Sequence, residues 1–64
     1  MRDGALEAFQ LMRDDIVTEH DETIALMNKL RAEGKERTAT FRQLLAQKMT
    51  LASMLERYKR YDLL

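Results

Sequence analysis

Sixty-four residues with no cysteine, no proline and two glycines make one domain at most, near the lower limit for burying enough apolar surface to fold alone. The absence of cysteine excludes a disulfide framework and a thiolate zinc site, so added stability is expected from self-association. Eleven basic and eleven acidic side chains cancel, which removes the strong basic excess of most nucleic-acid binders.

Taken in chain order, the first element is a long amphipathic helix over about residues 3–33, with Asp3 as its expected N-cap. At 100° per residue it gathers Leu6, Phe9, Met12, Ile16, His20, Ile24, Met27 and Leu30 on one stripe, with Asp14, Asp21 and Lys29 opposite. Its stop signal is Gly34, which follows Lys29-Leu30-Arg31-Ala32-Glu33 and fits a left-handed glycine cap after a basic last turn. The longest unbroken apolar run, Ile24-Ala25-Leu26-Met27, is far shorter than the about 20 residues of a membrane-spanning helix. No apolar stretch of signal-peptide type follows Met1-Arg2-Asp3-Gly4, and the expectation is a cytoplasmic protein.

A turn over about residues 34–38 leads to a second helix over about residues 38–62. Thr38 and Thr40 are both candidate N-caps, and Thr40 with Gln43 matches a capping box. Phe41, Leu44, Leu45, Leu51, Leu55 and Tyr58 share its apolar face with Ala52. Phe41, Lys48, Leu55 and Asp62 recur every seven residues, interleaved with Leu44, Leu51 and Tyr58, which is a coiled-coil-like period carrying two polar intrusions. A single helix bent through Gly34 is the competing arrangement; it would place glycine in a helix interior at a cost of about 1 kcal/mol and forgo the caps.

The fold class expected is therefore all-α, a two-helix antiparallel hairpin in one domain spanning residues 1–64. Residues 1–32 carry four basic and seven acidic groups and the remainder carries the opposite excess, which favours laying one helix against the other. Both apolar stripes are wider than one helix contact covers. Two hairpins packed as a four-helix bundle with twofold symmetry would bury the remainder. The expected oligomer core is Leu6, Phe9, Met12, Ile16, Ile24, Met27, Leu30, Phe41, Leu44, Leu45, Leu51, Leu55 and Tyr58.

Three polar residues intrude on this core. With the turn centred near Gly34, antiparallel pairing sets His20 and Lys48 at one level with Glu19 beside them, a polar layer that would fix register and partner number. His20 is not expected to bind metal, because the positions three and four residues away hold Ile16, Val17, Thr23 and Ile24. The segment His20-Asp21-Glu22-Thr23-Ile24 resembles the phospho-accepting segment of sensor histidine kinase dimerisation domains. Its threonine comes one place too early and the proline is absent, so no phosphorelay is expected.

Asp14, Asp15, Glu19, Asp21 and Glu22 splay over several helix faces and form no calcium loop. No nucleophile elbow, phosphate-cradling glycine loop or paired-carboxylate arrangement is present, so neither an enzyme nor a cofactor is expected. The function expected is a homo-oligomeric interaction or adaptor module holding a protein partner. The alternative is a nucleic-acid-binding dimer using Arg42, Arg57, Lys59 and Arg60, since basic and aromatic residues interleave around Tyr58 and Tyr61. In architecture alone such a dimer resembles Rop-type hairpins, which bind RNA.

Overall fold

The computed structural model describes residues 4–64, which form two antiparallel helices, α1 (Ala5–Ala32) and α2 (Ala39–Arg60), packed against each other. Neither helix has glycine or proline in its interior, and both are rich in alanine and leucine, which favour helix locally. Gly4 stands at the N-cap of α1 without a side-chain capping bond. The expected Asp3 cap lies outside the described residues.

The two helices stop in the same way. Beyond α1, Gly34 takes a left-handed φ of +73°, the Lys35 amide donates to the Leu30 carbonyl and the Gly34 amide to Arg31. Beyond α2, Asp62 takes a φ of +56°, with the Leu63 amide donating to Tyr58 and the Asp62 amide to Lys59. Each is a Schellman termination, in which two backbone donors satisfy carbonyls that the helix leaves open. Thr38, and not Thr40, caps the start of α2: its hydroxyl accepts from the Phe41 amide at 3.2 Å and donates to the Lys35 carbonyl at 2.8 Å.

The seam between the helices has a period of seven. On α1 the residues turned inward are Phe9, Ile16, Thr23 and Leu30, interleaved with Arg13, His20 and Met27; all are buried or half-buried. On α2 they are Phe41, Lys48 and Leu55 interleaved with Leu44, Leu51 and Tyr58. This is the spacing of a left-handed two-helix coil, in which each knob stays on the contact line over several turns. At one end Phe9 meets Tyr58 edge to face with ring centroids 5.6 Å apart, and near the turn the Arg31 guanidinium lies 5.5 Å from the Phe41 ring centre.

The register differs from the sequence expectation. Towards the turn, Thr23 contacts Gln47 and Arg31 contacts Phe41, so the midpoint of the hairpin falls there at Lys35 and Glu36 rather than at Gly34, whereas the Phe9 and Tyr58 rings at the far end meet about one turn off this register. The Schellman termination occupies Gly34 and Lys35, and α2 begins only after Thr38, which moves the reversal one to two residues along the chain.

The molecule is a rod. It measures 48 × 21 × 16 Å with a radius of gyration of 14.6 Å, against about 11 Å for a globular domain of this length. Only four apolar side chains are buried, Ile16, Met27, Phe41 and Leu51, whereas nine large apolar residues are exposed among those described. Leu6, Met12 and Leu45 of the expected core are among the exposed nine; in the single hairpin they lie beside the contact line, not on it. Two helices have one contact line, and whatever lies to either side of it meets water.

Candidate functional site

Among the described residues Thr23 is the one fully buried polar side chain, 1% exposed, and it sits at the centre of the seam. Its hydroxyl donates to the Glu19 carbonyl at 2.7 Å and accepts from the Gln47 side-chain amide at 2.9 Å. Both hydrogen-bonding roles of the hydroxyl are thus filled, and among the described residues no buried side-chain polar atom lacks a partner. This pair was not among the expected polar residues. The recurrence of Phe9, Ile16, Thr23 and Leu30 at intervals of seven is the signal that places Thr23 inside, and a 100° stripe that admits Leu6 and Met12 obscures it.

Within one hairpin the register does not bring Glu19, His20 and Lys48 of the expected polar layer to one level. Lys48 is half-buried beside Ile24, Met27, Asn28 and Arg31, while His20 lies one turn further along, in a shallow cleft with Ala52, Leu55, Glu56, Lys59 and Leu64. Glu19 is exposed and forms no ion pair with Lys48. His20 Nδ1 instead approaches the exposed Asp21 Oδ1 at 3.4 Å. The displacement follows from the turn: a hairpin centred at residues 35–36 sets Lys48 level with Thr23 and His20 level with Leu51.

Arg13 is a further residue that the stripe omitted. It occupies a seam position, its side chain 26% exposed, and its guanidinium pairs with Asp14 at 3.2 Å and donates to the Leu63 carbonyl at 3.0 Å. The left-handed turn at Asp62 folds Leu63 and Leu64 back toward α1 and brings that carbonyl within reach. Arginine suits the position because its long apolar stem can lie along the seam while the charged head reaches the end of the rod.

The four residues of the candidate nucleic-acid patch are not brought together within one chain. Arg42 stands near the turn, whereas Arg57, Lys59 and Arg60 stand in the last turns of α2, about 22 Å along the axis at 1.5 Å per residue. Arg57 lines a cleft with Ser53, Met54 and Tyr58 on one side of α2, and Lys59 lines the His20 cleft on the other.

Nine large apolar side chains stand exposed among the described residues. The chain exposes 5339 Å², whereas a compact monomer of its 7.5 kDa exposes about 4,200 Å². The excess of about 1,100 Å² is comparable with the roughly 800 Å² that each partner buries in a standard protein interface. Charge is also divided by helix: α1 carries six acidic groups against three basic, and α2 one acidic against five basic.

Searches against protein-family models, curated proteins and solved structures find no match to this chain. Among the described residues no helix is long and apolar enough to cross a membrane, and no group of three or more histidine, aspartate or glutamate side chains is arranged to hold a metal ion.

Proposed function

We propose that the chain is a non-enzymatic, self-associating helical module, two hairpins packing as a four-helix bundle that serves to hold a protein partner. The observation that carries the self-association is the imbalance, among the described residues, between four buried and nine exposed large apolar residues. Soluble monomers rarely leave such a surface uncovered, and a second copy is an occupant whose stripe has the same length and period. The excess surface of the single hairpin is of the size that a stable interface removes from water.

Sedimentation and thermal melting test this reading together. Folding coupled to association makes Tm depend on protein concentration, because mass action favours the assembled state. The expected result is a dimer at micromolar concentration with a Tm that rises on concentration. A monomer whose Tm is constant over a hundredfold range of concentration would overturn the proposal.

A further inference from the structure

Resting on that self-association, the geometry points to a specific interface: the second copy docks on the flank formed by Val17, Ile24, Leu45, Met49 and Ala52, placing α1 against the partner's α2 with both turns at one end. The seam divides each helix into two flanks, because residues next to the contact line lie either on the Ile24 side or on the Leu26 side. On the Ile24 side, Val17, Ile24 and Ala52 are half-buried and form a floor, from which Leu45 and Met49 stand out at 39% and 63% exposure. The clefts lined by Ile24 with Lys48 and by His20 with Ala52 open along this same side. The Leu26 side also exposes Met12, Leu26 and Tyr61, but there the middle of the rod is interrupted by exposed Glu19 and Gln47, the latter already bonded to Thr23.

Charge decides the orientation. Two hairpins related by a twofold axis meet either with α1 beside the partner's α2 and the turns together, or with α1 beside the partner's α1 and the turns at opposite ends. The outer rim of α1 on this flank carries Asp14 and Asp21. In the first arrangement the hairpin register sets Asp21 near the level of the partner's Lys48 and Asp14 near that of the partner's Lys59. The second sets the acidic rim of α1 against its own copy. Like charges brought together across an interface oppose association, so the acidic α1 and basic α2 select the first. It also gives half-buried Lys48 a carboxylate.

A single nitroxide at Arg37→Cys tests the orientation, since the chain has no other cysteine and position 37 is exposed in the turn. With the turns together, the labels of a dimer should lie within about 30 Å, given interaxial distances of about 10 Å plus the label arms. Turns at opposite ends of a rod 48 Å long would separate the labels by most of that length. A long distance in a sedimenting dimer overturns the interface while leaving self-association intact; no dipolar signal from a sedimenting monomer overturns both. The flank is read separately from the dimer dissociation constant, which Met49→Glu should raise at least about tenfold and Leu26→Glu by less than about threefold. The reverse order of effects would overturn the choice of flank even if Met49→Glu also lowered helicity, because Leu26→Glu then carries the decision.

Discussion

The Gln47 side-chain amide donates to the Thr23 hydroxyl at 2.9 Å across the seam, the only place among the described residues where a buried polar side chain joins the two helices. Because Thr23 also donates to the Glu19 carbonyl, the bond sets which residue of α2 stands opposite which residue of α1. A double-mutant cycle with Thr23→Val and Gln47→Ala should return a coupling of about 1 kcal/mol, the usual net contribution of such a bond. Additive losses would show that the bond orients the helices without stabilising them.

Lys48 occupies a seam position between Thr23 and Met27 and pairs with no acidic group among the described residues of its own chain. Replacing a half-buried ammonium by an apolar side chain of similar length removes its desolvation cost. Lys48→Met is expected to stabilise the fold by about 1 kcal/mol, seen as a Tm higher by about 5 °C at fixed protein concentration. If the partner's Asp21 neutralises Lys48 in the dimer, the gain shrinks at high concentration and persists in the dilute chain. A loss of several kcal/mol at all concentrations would place Lys48 in a favourable buried network instead.

The start of α2 distinguishes two threonines two residues apart. Thr38→Ala removes the acceptor for the Phe41 amide and should cost about 1 kcal/mol, whereas Thr40→Ala lies inside the first turn and should be neutral or slightly stabilising. Urea denaturation at one protein concentration resolves the two. Equal losses would contradict the assigned cap.

The two left-handed residues should respond with opposite signs. Gly34→Ala forces a Cβ into a φ of +73° and is expected to destabilise the hairpin by about 1 kcal/mol. Asp62→Gly relieves the same constraint at a φ of +56° and should stabilise by a few tenths of a kcal/mol up to about 1. Thermal melts of the pair, read against the parent chain, check both. A stabilised Gly34→Ala would mean that the helix continues through the turn.

Nucleic-acid binding is expected to be weak. Arg42 stands apart from Arg57, Lys59 and Arg60 within one chain, and the formal net charge is zero. RNA and single-stranded DNA of mixed sequence should bind no tighter than about 10⁻⁶ M near physiological salt. Tight, salt-sensitive binding that disappears when Arg57, Lys59 and Arg60 are changed to glutamine would show that association gathers these residues from two chains into one patch.

What the sequence determined by itself is local. Helix identity follows from alanine- and leucine-rich stretches free of glycine and proline, the break between helices from Gly34, and the seam of α2 from Phe41, Lys48 and Leu55 recurring with Leu44, Leu51 and Tyr58. These signals act over one to two turns, so residues close in sequence are enough to express them. Register was decided only by the tertiary structure, because it depends on how many residues the turn consumes. A reversal centred at residues 35–36 rather than at Gly34 moves Lys48 to the level of Thr23 and separates it by a turn from His20. The same packing chose between stripes that overlap on a helical wheel, drawing Thr23 and Arg13 onto the contact line and leaving Leu6 and Met12 beside it. A hydroxyl can be buried there because Gln47 reaches it from the opposite helix, a partnership between residues 24 positions apart that no local pattern encodes.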